Sequence, residues 1–226
     1  MQSIIDPTAK IAATARLGRS VSIGAHVVIH DHVVVEDGVV IGANAVIGAD
    51  PKTIGAKRST GLTVIGSGST IGESVVIDAA IQGSTLLGPK CYVMPLVYIG
   101  HDCHIGEGSI LSSGVKLGGY VHLGAHANLG FNVSVHQFST IGAYAMIGMG
   151  AVVNKDILPF SKAFGVPVRF RGVNAVGMRR HKFDEAMIAQ IELFLLQGVL
   201  DHTEAANWKH YYDAFYVQSS RKKLTV

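Results

Sequence analysis

The feature that most constrains the fold is a six-residue repeat that runs through most of the chain. Aliphatic residues recur with this period, usually followed by Gly or another small residue. A six-residue period fits neither an amphipathic helix nor a simple alternating strand, so it predicts short strands joined by tight turns. The repeat comprises two series in different phases: Ile11, Leu17, Ile23, Ile29, Val35, Ile41, Ile47, Ile65, Ile71 and Ile77, then Leu87, Val93, Ile99, Ile105, Leu117, Leu123, Leu129, Val135, Ile141, Ile147 and Val153.

Three such hexads make one coil, in which each aliphatic residue points inward and stacks on its counterpart in the next coil. The small residues let the chain turn at low steric cost. With strands stacked about 4.8 Å apart, about eight coils form a prism on the order of 40 Å long. The repeat therefore predicts an all-β solenoid over residues 1–157, with irregular loops near 49–63 and 78–88, where the pattern breaks.

The repeat ends after Val153. Residues 158–182, which contain two prolines, predict an irregular lead-out, and residues 183–226 predict a small C-terminal α-helical domain. Asp184 is a suitable N-cap for its first helix, and Gly198 is a suitable stop. A second helix follows over roughly residues 203–219, and we expect its aromatic residues to pack rather than to bind a ligand.

Composition and charge narrow the class of protein. Hydrophobic residues make up 48% of the chain, yet no run of about 18 apolar residues occurs, so we expect no membrane span. The first residues lack the pattern of a signal peptide, and Cys91 and Cys103 form no paired motif, so we expect a cytoplasmic protein. The net charge of +3 is too small to favour nucleic acid, whereas the basic residues 221–223 are compatible with an acidic partner.

The stretch IGHDCHIG, residues 99–106, places two imidazoles and a carboxylate where the repeat needs only small residues. With three hexads per coil, His101 stands in register with Gly119 and Gln137 in the next two coils. An imidazole can take a proton from a hydroxyl or an amine, and a backbone N–H can stabilise an oxyanion, so this column is a candidate acyl-transfer site. Asp102 could fix the tautomer of His101. Neighbours in a strand point to opposite sides, however, so only a bend at a coil corner would bring the two together.

A second column pairs His104 with His122 and raises the question of a metal site. The spacing of the histidines does not match the three-histidine zinc site of the γ-class carbonic anhydrases. We therefore expect a stacked surface pair and no bound metal.

Several motifs together resemble the UDP-N-acetylglucosamine acyltransferases of lipid A biosynthesis. They are IGHDCHIG, LGGYVHLG, VSVHQFSTIGAYAMIG, GVNAVGMRRHKF and the closing FYVQSSRKKL, in this order and at similar spacing. The resemblance implies a left-handed parallel β-helix that forms a homotrimer with active sites between subunits. It also implies an acyl donor carried on the phosphopantetheine of acyl carrier protein, a nucleotide-sugar acceptor, and no metal or redox cofactor.

The resemblance also assigns roles to residues of this chain. His101 matches the general base of the family, Asp102 its orienting neighbour, and Gly119 the residue whose N–H stabilises the oxyanion. The residues that match the lining of the acyl and nucleotide-sugar sites are His136, Gln137, Asn174 and Arg180.

Departures from the family pattern concern the acceptor and the acyl chain. Thr53 and Gly55 stand where the family has an Asp and a Lys that help to hold the sugar. Tyr120 replaces a His after the oxyanion glycine, and Met149 falls where the family measures acyl length, which predicts a short or medium chain. Further replacements are Tyr98 for a His, Val176 for an acidic residue and His181 for an Arg.

These observations leave three functions open. The first is transfer of a 3-hydroxyacyl chain to the 3-hydroxyl of UDP-N-acetylglucosamine. The second is N- or O-acylation of a different nucleotide-linked sugar, for example an amino sugar, since the same base could deprotonate an amine. The third is a non-catalytic protein that binds a nucleotide sugar. Either acyl carrier protein or coenzyme A could carry the acyl chain.

Overall fold

The computed structural model describes residues 2–197 and 208–219, which form 25 strands and three helices. Nearly all strands are two or three residues long, as the six-residue period predicts. The strands are β1 (Ile4–Ile5), β2 (Lys10–Ile11), β3 (Arg16–Leu17), β4 (Ser22–Ile23), β5 (Val28–Ile29), β6 (Val33–Val35), β7 (Val40–Ile41), β8 (Val46–Ala49), β9 (Thr63–Ile65), β10 (Thr70–Ile71), β11 (Val76–Asp78), β12 (Thr85–Leu87), β13 (Tyr92–Val93), β14 (Tyr98–Ile99), β15 (His104–Ile105), β16 (Ile110–Leu111), β17 (Lys116–Leu117), β18 (His122–Leu123), β19 (Asn128–Leu129), β20 (Ser134–Val135), β21 (Thr140–Ile141), β22 (Met146–Ile147), β23 (Val152–Val153), β24 (Ser161–Phe164) and β25 (Arg169–Val173).

Consecutive strands of the repeat belong to three different sheets, and each strand pairs in parallel with the strand one coil away. The first sheet has the order β1-β4-β7-β10-β13-β16-β19-β22-β24-β25, the second β2-β5-β8-β11-β14-β17-β20-β23, and the third β3-β6-β9-β12-β15-β18-β21. Ile99 pairs with Ile77 on one side and with Leu117 on the other. The structure is therefore a parallel β-solenoid, and the predicted stacking of aliphatic residues is confirmed.

The inward aliphatic residues make one continuous core. From the second coil onward they are almost fully buried, for example Ile47, Ile65 and Leu117, each with 0% exposure. Ile11 and Leu17 are only partly buried, because they lie near the end of the stack. Many corners carry one residue with left-handed backbone angles, such as Gly114 with φ of 76°, a conformation that glycine adopts at low cost.

Both interruptions of the repeat lie at the same edge of the solenoid. Residues 50–62 connect β8 of the second sheet to β9 of the third, and residues 79–84 connect β11 to β12 of the same two sheets. The second loop is shorter than the predicted range 78–88, because Thr85–Leu87 pair with neighbours on both sides. One edge therefore carries both irregular loops.

Residues 158–182 are more regular than the sequence pattern predicts. β24 pairs in parallel with β22 and so continues the first sheet, and β25 folds back antiparallel on β24. A short helix, α1 (Ala175–Arg180), follows. The prediction of an irregular lead-out was wrong because backbone pairing with the last coil continues beyond the hexapeptide pattern.

Two longer helices pack on the end of the solenoid. α2 (Glu185–Gln197) begins after Asp184, whose Oδ1 accepts a hydrogen bond from the Met187 N–H at 2.7 Å. α3 (Lys209–Gln218) falls within the second helix predicted over roughly 203–219. The predicted stop at Gly198 and the basic residues 221–223 lie outside the described residues. None of the described helices combines the length and the apolar character that crossing a membrane requires.

The aromatic residues near α3 pack, as the sequence analysis expects. Trp208 is 1% exposed, and Tyr212 and Phe215 are each 3% exposed. Trp208 and Tyr212 belong to a second apolar cluster together with Tyr144 and Phe160, whose rings stack at 5.5 Å between centroids. This cluster attaches the helices to the last coils.

Candidate active site

The predicted column of His101, Gly119 and Gln137 lies along the edge between the second and third sheets, called here the His101 edge. Each member occupies the corner between a strand of the second sheet and a strand of the third. The Tyr120 N–H donates to the His101 carbonyl at 2.9 Å, and the Phe138 N–H donates to the Gly119 carbonyl at 3.0 Å. The register of one coil per step is thereby confirmed.

Asp102 turns back toward His101 at this corner. Its φ of 56° is left-handed, a conformation that Asp tolerates better than most residues. The bend brings Asp102 Oδ2 to 3.0 Å from His101 Nδ1, which is the contact that the sequence left open. His101 is 8% exposed and Asp102 4% exposed, so the pair is shielded from water.

The Asp102 carboxylate is held by the loop of residues 79–84. It accepts hydrogen bonds from the N–H groups of Ile81 at 2.8 Å, Gly83 at 2.7 Å and Gln82 at 3.2 Å. Burial alone raises the pKa of Asp102, but these hydrogen bonds and the one from His101 outweigh burial and bring the pKa below its usual value. The ionised Asp102 carboxylate accepts a hydrogen bond from the Nδ1–H of His101, which leaves Nε2 as the nitrogen without a proton.

Gly119 faces the imidazole directly. A side-chain carbon at this position would lie 2.5 Å from Nε2 and from Cε1 of His101, closer than any real contact. The Gly119 N–H donates to no acceptor within residues 2–197 and 208–219. The backbone N–H of a residue that packs against an imidazole is the kind of donor that can stabilise an oxyanion.

Two stacked aromatic rings lie beside the imidazole of His101. The Tyr120 ring meets His101 edge to face at 5.0 Å between centroids, and the Phe138 ring stacks on Tyr120 at 4.8 Å. Phe138 is 47% exposed. The rings form an apolar wall that extends from His101 along the next two coils.

Thr53, which the family resemblance places in the acceptor loop, also contacts His101. Its Oγ1 lies 3.0 Å from His101 Nε2. Because Nδ1 carries the proton that faces Asp102, Nε2 accepts and the Thr53 hydroxyl donates. No sequence pattern predicts this contact, because Thr53 lies on an irregular loop without a repeat register.

Asp78 is a buried carboxylate that sequence reasoning missed. It is 0% exposed and accepts hydrogen bonds from the Tyr98 hydroxyl at 2.5 Å and from the Lys52 N–H at 3.2 Å, while the Lys52 ammonium lies 3.9 Å away. Burial raises the pKa of Asp78, and the contacts with Tyr98 and Lys52 only partly oppose that effect. One signal was visible in the sequence: Val-Ile-Asp at 76–78 replaces the Val-Ile-Gly of 46–48 in the preceding coil.

The remaining predicted site residues do not all meet His101 within one chain. His136 and Gln137 are exposed at the His101 edge, where His136 Nδ1 lies 3.0 Å from the Gln137 carbonyl oxygen. Met149 is 75% exposed at the edge between the first and second sheets, and Gly55 lies exposed on the loop of residues 50–62. Within one chain, Met149 and His101 therefore lie at different edges of the solenoid.

Asn174 and Arg180 lie at the third edge. Asn174 caps α1, because its Oδ1 accepts from the Gly177 N–H at 3.1 Å, and its Nδ2 donates to the Tyr144 carbonyl at 2.8 Å. Both residues line a cavity of about 430 Å³ together with His126 and His181, among others. Its lining combines polar and charged side chains with the aromatic ring of Tyr144, a mixture that small-molecule sites commonly have.

The histidine pair on the third sheet is adjacent, as its register predicts. The rings of His104 and His122 meet edge to face at 4.8 Å between centroids. Burial, together with His104, lowers the pKa of His122. Within the described ranges, three or more His, Cys, Asp or Glu residues nowhere cluster as metal ligands would.

Comparisons with known proteins agree with this geometry. The family described as bacterial transferase hexapeptide (six repeats) matches residues 14–49 and 84–119. The family described as UDP N-acetylglucosamine O-acyltransferase, domain 2, matches residues 156–195. A curated relative from Xanthomonas campestris pv. campestris (strain B100), an acyl-[acyl-carrier-protein]–UDP-N-acetylglucosamine O-acyltransferase, is 45% identical over 136 residues, or 57% of this chain and 51% of the relative. The chain spans about half the length of the curated relatives it matches.

Solved structures match over the whole chain. The UDP-N-acetylglucosamine acyltransferase of Francisella novicida is 31% identical, with 99% of this chain and 92% of that chain covered and a TM-score of 0.73. The enzyme of Bacteroides fragilis is 28% identical, with 98% and 100% covered and a TM-score of 0.81. The hexapeptide repeats of this solenoid fit the left-handed β-helix that the sequence resemblance implied. The repeat, the C-terminal segment and these full-length matches show that the chain belongs to the UDP-N-acetylglucosamine acyltransferase family.

Proposed function

We propose that the chain is an acyltransferase that moves a 3-hydroxyacyl chain from acyl carrier protein to the 3-hydroxyl of UDP-N-acetylglucosamine, a step of lipid A biosynthesis. The observation that carries the proposal is the position of His101, with Asp102 on Nδ1 at 3.0 Å and Gly119 packed against the Nε2 side of the ring. The names of the curated relatives support the same reaction.

The chemistry follows from the three groups. Nε2 of His101 takes the proton of the acceptor hydroxyl as its oxygen attacks the thioester carbonyl carbon. The Gly119 N–H stabilises the oxyanion, and the ionised Asp102 stabilises the imidazolium. The C–S bond then breaks, and His101 returns the proton to the leaving thiolate. This proton transfer needs no metal and no redox cofactor, and the phosphopantetheine belongs to the carrier protein.

The proposed working form is a homotrimer in the cytoplasm. One chain carries the base at one edge, Met149 at a second, and Asn174 with Arg180 at the third. Side-by-side association of three copies can bring different edges together. In such a trimer, neighbouring copies would supply Met149, Asn174 and Arg180 to the site that contains His101.

The acceptor has a second candidate, a nucleotide-linked amino sugar. The observation that favours it is that the loop of residues 50–62 presents Thr53 to His101 where the family's loop carries an Asp that helps to hold the sugar. An amine could lose its proton to the same nitrogen as a hydroxyl.

A turnover assay tests both candidates. Purified protein receives 3-hydroxyacyl carrier proteins of several chain lengths with either UDP-N-acetylglucosamine or its 3-amino analogue, and His101→Ala is the control. Transfer to the hydroxyl sugar supports the first candidate, and transfer only to the amine supports the second. If the wild type binds a nucleotide sugar as tightly as His101→Ala and neither turns over, the chain is a binding protein and the proposal fails.

A further inference from the structure

The hydroxyl of Thr53 lies at the position next to His101 Nε2 that the attacking atom of an acceptor would have to take. Asp102 occupies Nδ1 of His101, so only Nε2 can accept a proton. A general base must lie about 2.6–3.2 Å from the atom that it deprotonates. Thr53 Oγ1 already lies there, 3.0 Å from Nε2. An acceptor must therefore displace Thr53 before it can react.

The loop that carries Thr53 is anchored on the residue before it. The Lys52 N–H donates to the buried carboxylate of Asp78, and the Lys52 ammonium faces the same group at 3.9 Å. The Tyr98 hydroxyl also donates to Asp78, at 2.5 Å. Asp78 Oδ1 has no hydrogen-bond donor in the described part of the chain, so the Lys52 ammonium is the charge that compensates it. Thr53 is held by this anchor next to the base.

The rest of the loop is attached at two further points. The Arg58 guanidinium donates to the Asp50 carboxylate at 2.8 Å and to the Gly48 carbonyl. The Ser59 N–H donates to the Ala80 carbonyl at 2.8 Å, which ties this loop to the loop that holds Asp102. The contact between Thr53 and His101 is therefore part of a hydrogen-bond network that joins the two irregular loops.

We propose that Thr53 makes the site select a sugar acceptor over water. Its hydroxyl stays hydrogen-bonded to His101 Nε2 until a sugar acceptor displaces it, and so it protects the acyl donor from hydrolysis. The inference rests on the proposed function. In the reaction that Thr53 prevents, a water oxygen bonds to the thioester carbonyl carbon, the C–S bond breaks, and the water proton passes through His101 to the thiolate. Asp78 is a positioning residue, because it holds the backbone of Lys52 and thereby fixes the position of Thr53.

The test measures thiol release from the donor without any nucleotide sugar. The donors are a 3-hydroxyacyl carrier protein and the matching 3-hydroxyacyl thioester of N-acetylcysteamine. We expect Thr53→Ala to raise this hydrolysis by about five- to tenfold, the factor that one lost hydrogen bond represents. Thr53→Ser keeps the hydroxyl and should stay within about twofold of the wild type. Thr60→Ala, an exposed threonine of the same loop, is the matched control.

The outcomes separate this inference from its alternatives. The extra hydrolysis of Thr53→Ala should disappear when His101→Ala is added, because the water needs the base. Unchanged hydrolysis in Thr53→Ala would overturn the inference. An acyl group found on Thr53 by intact-mass analysis would also overturn it, because Thr53 would then be a nucleophile. Failure of the proposed function gives a different result, namely no transfer by the wild type to any nucleotide sugar. The comparison of Thr53→Ala with the double variant on the small thioester still decides whether Thr53 screens the base.

Discussion

His101 Nε2 lies 2.5 Å from the point where a side-chain carbon would begin at Gly119. The distance follows from the stacking of coils, since parallel strands lie about 4.8 Å apart and a ring at one corner reaches over the backbone of the next. Glycine is needed here for close approach, and the structure gives it no left-handed φ. The imidazole of His101 and the backbone of Gly119 are therefore brought together by the repeat itself.

Gly119→Ala should displace the imidazole and lower kcat/KM by about 100-fold, because a shift of about 1 Å at a reacting group has that effect. Forcing a methyl group into the contact should also lower the free energy of unfolding, by about 1–3 kcal/mol. Steady-state kinetics and urea unfolding measure the two effects. Gly83→Ala is the matched control, since its added carbon would meet only Asp102 Oδ1 at an ordinary 3.6 Å. Equal activity of the two variants would contradict the steric argument.

Asp102 should make the fold sensitive to acid. Although burial opposes the shift, the hydrogen bonds hold its pKa below the usual 3.8, so the folded protein binds fewer protons than the unfolded chain in that range. The contribution of Asp102 to the free energy of unfolding is complete above the unfolded pKa and is lost as the pH falls through the folded pKa. Urea unfolding as a function of pH should show a steeper loss below about pH 4 in the wild type than in Asp102→Asn. Parallel curves would count against the role of these hydrogen bonds.

Asp78 should have the opposite effect. Burial raises its pKa above 3.8, so the folded protein holds a proton that the unfolded chain has already released. The free energy of unfolding therefore falls as the pH rises from the unfolded toward the folded pKa of Asp78. Asp78→Asn should remove that fall in the same urea series. If the wild type shows no such fall and matches the variant above about pH 4, the carboxyl is not destabilised by burial.

Leu117→Ala should reduce the free energy of unfolding by about 2–5 kcal/mol, because it opens a cavity in the stacked core. Leu117 is 0% exposed and pairs with Ile99 in one coil and Val135 in the next. Lys116→Ala, on the exposed side of the same strand, should change the free energy of unfolding by less than about 0.5 kcal/mol. Urea unfolding of both variants tests the difference, and similar values would contradict inward stacking at this position.

Met149→Gly should lengthen the preferred acyl chain if a neighbouring copy places this residue at the end of the acyl site. Met149 is 75% exposed within one chain, so its effect depends on the proposed trimer. The measurement is kcat/KM over a series of donor chain lengths, with the oligomeric state determined by light scattering. An unchanged length preference in a trimeric protein would show that Met149 does not limit the chain.

Much of the fold and part of the site could be predicted from the sequence, because the hexapeptide repeat is a local pattern with one register. Once each coil contains three hexads, Ile99 must stack on Leu117, and His101 must stand beside Gly119. The N-cap at Asp184 was predictable for the same reason, since it depends only on nearby backbone.

The rest was decided by tertiary structure, because it depends on backbone angles and contacts that no period specifies. The contact of Asp102 with His101 needs the left-handed φ at one corner. Thr53 reaches His101 only because a loop outside the repeat is attached to Asp78 and to the neighbouring loop. The repeat by itself determined where His101 and Gly119 stand. The irregular loops do not follow the repeat, and they decided which groups contact Thr53, Asp102 and His101.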